Sequence, residues 1–130
     1  MSNGAKKIEF DGMESLVTAV IVCDRDLVVK YINPSTESLF EVSAKQAINN
    51  NINVFFEDTN NFFKNIIQKV DDQKNSYKEH EYFIQTHQKK TICVSLTVTA
   101  LINSKDEFVI EFIQMDQQLK VAREERMFIQ

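Results

Sequence analysis

The spacing of apolar positions predicts five strands in two groups. Residues 17–23 form a continuous β-branched run typical of a buried strand, and residues 27–32 form a second run after a short polar turn, so the pair predicts a hairpin. Three strand-like runs follow later, at 77–86, 90–102 and 108–115, separated by turns short enough for hairpins. Strict alternation of apolar and polar residues over 90–102 is typical of a strand with one buried face.

Helix signals lie between the two groups of strands. Asn33 and Pro34 predict a helix start, because Asn is a favoured N-cap and Pro tolerates the first helical position. Ser43 and Gln46 have the spacing of a capping box, which predicts a short second helix.

A longer main helix is predicted next, with a cap at Thr59 or Asn60 and an end within residues 71–76. Its apolar stripe consists of Phe62, Phe63, Ile66, Ile67 and Val70. A short leading helix over residues 8–16 and a final helix capped by Asp116 complete the predicted elements.

This order of elements predicts an α+β fold, a five-stranded antiparallel sheet with the central helices on one face. The length of 130 residues fits one domain, placed at residues 8–116. Residues 1–7 are interpreted as a tag or disordered start, and residues 117–130 as the beginning of a signalling helix with coiled-coil-like spacing. Because the helical pattern carries no stop signal before Gln130, we expect the natural chain to continue.

Composition narrows the possible functions. The formal net charge of -4 argues against a nucleic-acid surface, which needs a concentrated basic patch. No apolar run approaches the about 20 residues of a membrane span, and no signal peptide is visible, so we expect a cytoplasmic location. The chain has ten Phe and no Trp, and rings without a polar group favour a filled core.

Residues that could carry chemistry are few and scattered. Cys23 and Cys93 lie in strand-like runs, where a free Cys is commonly a small buried hydrophobe, and we favour that interpretation over a disulfide or a reactive thiol. His80 and His87 would face opposite sides of one extended strand, so we interpret both as surface imidazoles, with no metal site. Glycine-rich phosphate loops and nucleophile motifs are missing, which predicts a regulatory domain rather than an enzyme.

Four segments carry a resemblance to a known family. They are V-I-V-C-D at 20–24, Y-I-N-P-S-T-E-S-L-F at 31–40, L-T-V-T-A at 96–100 and E-F-I-Q-M-D at 111–116. These look like the first strand, the strand-to-helix junction, the fourth strand and the exit from the last strand of the PAS family. Over residues 13–126 the chain resembles the PAS domain of NtrB-type nitrogen-regulation sensor kinases.

The resemblance implies a sensory domain that forms a homodimer through the PAS domain and its flanking helices, with a kinase core elsewhere in the same protein. It also implies a small regulatory protein that acts mainly outside this fragment. A haem-binding relative would carry a His on the main helix, and a flavin-binding relative a reactive Cys beside it. Residues 60–74 contain neither, so we expect no cofactor. Where the family often has Gly after the first strand, this chain has Asp26 and Leu27.

Two hypotheses for the function follow. In the first, the chain relays a signal as a dimer through flanking helices that carry the seam candidates Ile8, Met13, Leu16, Leu119, Ala122 and Ile129. The competing interpretation is that these helices pack only on their own domain. In the second, the chain is a small-molecule receptor of another signalling protein or transcriptional regulator, with a pocket lined by Tyr31, Asn33, Phe40, Phe55, Phe63, Ile67, Val94 and Thr97. A filled core is the alternative to that pocket.

Overall fold

A computed structural model of the chain describes residues 18–103 and 106–115, where it contains five strands and three α-helices. The strands are β1 (Ala19–Asp24), β2 (Val29–Ile32), β3 (Tyr77–Gln85), β4 (Thr91–Ala100) and β5 (Glu107–Gln114). The helices are α1 (Pro34–Phe40), α2 (Ala44–Ala47) and α3 (Phe62–Gln73), with 3₁₀ turns at Ile52–Val54 and Thr59–Asn61. The predicted leading and final helices lie outside the described residues.

The strands form one antiparallel sheet in the order β2-β1-β5-β4-β3. The last strand of the chain therefore lies in the centre, between the first strand and the fourth. Ile110 of β5 is opposite Ile21 of β1 on one side and opposite Val98 of β4 on the other. This sheet, with the helices between its two groups of strands, confirms the predicted PAS-like α+β fold.

The second strand is shorter than predicted, because its first two residues belong to the turn. Leu27 has a positive φ of 66°, and its backbone N–H donates to the carbonyl of Asp24 at 2.9 Å. The Asp24 carboxylate also accepts from the backbone N–H groups of Asp26 and Val28. A Leu in the left-handed region is costly, yet Leu27 is buried, so packing of its side chain offsets the backbone strain.

The two short helices begin as predicted. The Asn33 side chain accepts from the backbone N–H of Thr36 at 3.0 Å, with Pro34 at the first helical position. At α2, the Ser43 hydroxyl accepts from the backbone N–H of Gln46, while the Gln46 side chain accepts from the backbone N–H of Ser43. This reciprocal pair is a complete capping box.

The predicted cap of α3 at Thr59 or Asn60 is wrong. Asn60 and Asn61 both adopt left-handed backbone angles, which carry the chain around a tight corner and place Phe62 at the first helical position. Asp58 reaches past this corner, and its carboxylate accepts from the backbone N–H groups of Phe63 at 2.8 Å and Lys64 at 3.3 Å. Asn tolerates the left-handed region better than most residues, so the corner can form without Gly.

The core lies between the helices and one face of the sheet. The buried positions of β1, β4 and β5 alternate along each strand, and α3 adds its predicted stripe except for the half-exposed Phe62. Burial of this apolar surface is the main stabilising contribution to the fold. The opposite face of the sheet is not covered by any described element.

Candidate ligand and signalling surfaces

Five phenylalanine rings form one continuous cluster in the core. Phe40 from the end of α1 contacts Phe55 and Phe56 from the chain after α2, with ring centroids 5.4 and 5.5 Å apart. Phe63 from α3 lies 5.0 Å from Phe56, and Phe112 from β5 meets Phe40 edge-on at 5.5 Å. Tilted and edge-to-face pairs at these distances are attractive, so aromatic rings occupy the space between the helices and the sheet.

The structure brings together five of the eight predicted pocket residues. Phe40, Phe55, Phe63, Ile67 and Val94 are all buried in this core. Their shared location agrees with the predicted region between the main helix and the sheet. Whether any of them contacts a ligand stays a prediction.

Tyr31 and Thr97 lie on the other side of the sheet. Tyr31 is 52% exposed, and its strand pairs it with Val22, which also points away from the core. Thr97 alternates with the buried Leu96 and Val98, so its side chain leaves the opposite face of β4. Neither residue can join the buried rings without a change in strand register.

Asn33 has a structural role at the junction between the sheet and α1. Its side-chain Nδ2 donates to the carbonyl of Thr18 at 2.9 Å, and its Oδ1 accepts from the backbone N–H of Val20 at 3.0 Å. The same oxygen accepts from the backbone N–H and the hydroxyl of Thr36. These contacts tie the first strand to the first helix, which is a sufficient reason for an Asn at this position.

The uncovered side of the sheet, here called the outer sheet face, is partly apolar. Its members Val20, Val22 and Val109 are half-buried, Ile113 is 37% exposed, and Tyr31 lies at one edge. The strand pairings place Val22 opposite both Tyr31 and Val109, so these side chains adjoin across neighbouring strands. Sequence reasoning expected an exposed sheet face but did not identify these residues, although their alternation with buried positions is the signal that could have found them.

The two cysteines differ in surroundings, and neither forms a disulfide. Cys23 is fully buried, and this burial, with a smaller contribution from the neighbouring Asp24 carboxylate, raises the pKa of its thiol to about 12. Cys93 is half-buried on the outer sheet face, and its Sγ lies 3.5 Å from Sδ of Met115. Cys23 therefore matches the expected buried hydrophobe, because a thiol with such a pKa is almost entirely protonated at neutral pH.

The described residues offer no cluster of metal ligands, and one of their open grooves is mainly polar. Within residues 18–103 and 106–115, no three His, Cys, Asp or Glu side chains are placed to hold a metal ion. His80 and His87 are both exposed, as expected. One open groove beside the β1–β2 turn is lined mainly by polar groups, including those of Arg25, Asn51 and Lys64. Polar walls of this kind are unlike the largely apolar lining of most small-molecule sites.

The fold defines the class of protein. A family model described as the PAS fold matches residues 11–116, which is most of the chain. The chain therefore belongs to the PAS family, whose members are sensory and regulatory modules rather than catalytic domains. Comparison with curated proteins gives no match.

Several solved PAS structures are similar to the chain. The PAS domain of nitrogen regulation protein NR(II) from Vibrio parahaemolyticus has a TM-score of 0.64 and 16% identity, covering 75% of this chain and 89% of that one. The RpfR quorum-sensing receptor PAS domain of Cronobacter turicensis, in complex with BDSF, has a TM-score of 0.63 and 12% identity, covering 76% and 94%. A PAS domain from a two-component sensor histidine kinase has a TM-score of 0.58 and 19% identity, covering 88% and 100%.

These likenesses extend to the fold alone, because the identities are low. They agree on a PAS domain of the kind found in histidine kinases and other regulators. Among the helices of the described residues, none has the length and apolar character needed to cross a bilayer.

Proposed function

We propose that this chain is the sensory and dimerisation domain of a cytoplasmic two-component sensor histidine kinase, related to the NtrB-type nitrogen-regulation kinases. It relays a signal to a kinase core elsewhere in the same protein. The likeness to the NR(II) domain and to a sensor-kinase domain supports this assignment. The main observation in its support is that the outer sheet face presents apolar side chains that no described element covers.

The partly apolar outer sheet face favours a partner, because contact removes its apolar side chains from water. The face is built from residues of β1, β2, β4 and β5, and it lies beside Met115, which follows β5. A second copy related by a two-fold axis would cover the same face of both chains. We propose that the segments carrying Ile8, Met13, Leu16, Leu119, Ala122 and Ile129 extend this contact and pass it to the kinase core.

The packed core supports a relay over a receptor. Phe40, Phe55 and Phe112 occupy the region where a ligand between helices and sheet would have to lie. A ligand there would have to displace at least one ring, and removing a buried aromatic ring costs about 3–5 kcal/mol. We therefore propose that the signal arrives through contacts with other protein segments, without a bound cofactor.

A small-molecule receptor is the second candidate. Its support is the similar RpfR domain, which was solved in complex with BDSF at nearly the same TM-score as the NR(II) domain. In that case the five predicted lining residues that are buried in the core would have to move apart to make room for the ligand.

Native mass spectrometry of the purified chain separates the two candidates, because it reports oligomeric state and bound mass together. We expect a dimer at twice 15.1 kDa with no additional mass. Ile113→Asp should convert it to a monomer, because the substitution places a charge on the outer sheet face. Ile102→Asp is the matched control, since Ile102 is 96% exposed in the turn between β4 and β5 and should leave the dimer intact.

Circular dichroism should show that both variants stay folded. A wild-type monomer, or a dimer that Ile113→Asp leaves unchanged, would contradict dimerisation through this face. A reproducible additional mass on each chain would instead favour the receptor.

A further inference from the structure

A second group of aromatic rings lies at the margin of the core, at the edge of the sheet beside the start of α3, where two of its rings also contact Phe63. Phe62, the first residue of α3, stacks on Tyr82 of β3 with ring centroids 4.1 Å apart and planes only 11° apart. Tyr77, at the start of β3, meets Phe62 edge-on at 6.3 Å. All three side chains are half-buried, so the group forms a partly accessible surface that we call the aromatic rim.

An irregularity in β3 creates this grouping. Tyr77 and Tyr82 are five residues apart and would point to opposite faces of a regular strand. The register shifts between Glu79 and Tyr82, however, and Tyr77, Glu79 and Tyr82 pair with Val98, Leu96 and Val94, which are all buried on the inner face. A bulge of this type redirects side chains, and here it places two tyrosines and a carboxylate on one side.

Two carboxylates accompany the aromatic rim. Glu79 Oε1 accepts a hydrogen bond from the Tyr77 hydroxyl at 2.5 Å. Asp58 caps the start of α3. Burial has the largest effect in raising the pKa of Tyr82, and the charges of Asp58 and Glu79 raise it further. Among the ion pairs of the described residues, none involves Asp58 or Glu79, although Asp58 lines the same groove as Arg25 and Lys64. Glu79 is therefore the carboxylate on which the following argument depends.

From this geometry we infer that the aromatic rim binds the guanidinium group of an arginine presented by a partner protein. Aromatic faces attract cations, and a planar guanidinium can stack on a ring while donating to a carboxylate. Glu79 has a second carboxylate oxygen that accepts from no donor in the described part of the chain. The net charge of -4 adds long-range attraction for a basic segment.

Arginine fits this surface better than the other cations of proteins. A lysine ammonium is a compact and strongly hydrated charge, which gains less from a flat stacked pair of rings. Arginine can continue the stack of Phe62 and Tyr82 and form charge-assisted hydrogen bonds with Glu79 at the same time. The aromatic rim lies on the helical side of the sheet, so this inference is separate from dimerisation through the outer sheet face.

The test is an amide NMR titration of the whole chain at low salt with the blocked peptide acetyl-Ala-Arg-Ala-amide. Peptides with lysine or citrulline in place of arginine are the ligand controls, and citrulline keeps the shape but lacks the charge. We expect saturable shifts at the aromatic rim with arginine, and binding weaker by about threefold to tenfold with lysine or citrulline.

Matched variants locate the site. Phe62→Leu and Glu79→Gln should each weaken binding of the arginine peptide by about threefold to tenfold. Tyr31→Leu, which removes the tyrosine on the outer sheet face, and Glu57→Gln, which removes an exposed carboxylate, should leave the affinity unchanged. Equal binding of the arginine and citrulline peptides, no saturable shift with arginine, or equal affinity of all four variants would overturn the inference. The amide spectrum of each free variant shows whether it is folded.

Discussion

Single side chains in this domain have properties set by which face of the sheet they occupy. Cys23 and Cys93 are both strand residues, yet one lies in the core and the other on the outer sheet face. Tyr31 and Tyr82 also lie on opposite sides of the sheet. The chemistry of each group follows from this placement rather than from its residue type alone.

Burial of Cys23 predicts an unreactive thiol. With its pKa raised to about 12, little thiolate exists at mildly alkaline pH, and the core also excludes the reagent. We expect iodoacetamide to leave Cys23 unlabelled in the native chain and to label it only after unfolding in urea. Mass spectrometry of peptides from the labelled protein measures both sites. A Cys93→Ser variant that still reacts rapidly under native conditions would show that Cys23 is accessible.

The Tyr77–Glu79 hydrogen bond predicts a pH dependence at the alkaline end. The bond to Glu79, followed by burial, raises the pKa of Tyr77 to about 12, whereas an unfolded tyrosine titrates at about 10. Between these values the folded state holds a proton that the unfolded state has lost. The free energy of unfolding should therefore fall as pH rises from about 10 to about 12, and Glu79→Gln should reduce this dependence.

Tyrosine-selective NMR titration measures the Tyr77 pKa directly. In the Glu79→Gln variant this pKa should move down toward the ordinary tyrosine value. The Glu57→Gln variant is the control, because Glu57 is not among the groups that shift Tyr77. A Tyr77 pKa that is the same in wild type and Glu79→Gln would mean that the hydrogen bond is not formed in solution.

At the scale of elements, the start of α3 depends on a cap supplied from outside the helix. Asp58 is four residues before Phe62, and the left-handed pair Asn60 and Asn61 brings its carboxylate back to the first free backbone N–H groups. An acidic group at this end also interacts favourably with the helix dipole. Helix α3 is thus coupled to the loop that precedes it.

Replacement of this cap should destabilise the fold measurably. We expect Asp58→Ala to lower the free energy of unfolding by about 1 kcal/mol, the usual cost of losing an N-terminal cap. Asp72→Ala is the matched control, because Asp72 is an exposed aspartate near the other end of α3 and should have little effect. Urea unfolding followed by circular dichroism gives both values. A change of the same size in the two variants would argue against a capping role.

The elements were largely predictable because their signals are local. Alternation over β4 and the capping residues Asn33 and Ser43 act within a few positions of the structure they specify. The cap of α3 was not predictable, because Thr59 and Asn60 have suitable side chains but the backbone turns left-handed before the helix begins. Leu27 in a left-handed turn likewise depends on burial that only the tertiary structure provides.

The candidate site was predictable only in part, because it depends on strand irregularities. In a regular β2, Tyr31 would share the face of the buried Val29, which supports placing it in a pocket. A register shift opposite β2, between Val22 and Cys23, leaves Val29 and Ile32 both buried and turns Tyr31 outward. The aromatic rim depends on a similar shift in β3, and no local pattern in the sequence marks either position.

At the scale of the whole molecule, the sheet consists of two parts that are joined through one strand. Among the described strands, the β1–β2 hairpin pairs with β5 alone beyond itself, and the β3–β4 pair also reaches the hairpin through β5. The helices and the aromatic core bridge the two parts on one side. A displacement of β5 would consequently change the packing of both parts of the sheet and of the helices that cover them.

The central position of β5 also affects how the domain folds during its synthesis. During synthesis β1 and β4 both leave the ribosome before residues 107–114, and each then has an unpaired edge where β5 will lie. The sheet can close only when β5 has emerged, so folding of the domain waits for this strand and involves contacts distant in sequence. Until then the nascent chain exposes two strand edges that can pair with other chains, and the speed of translation past β5 sets how long that risk lasts.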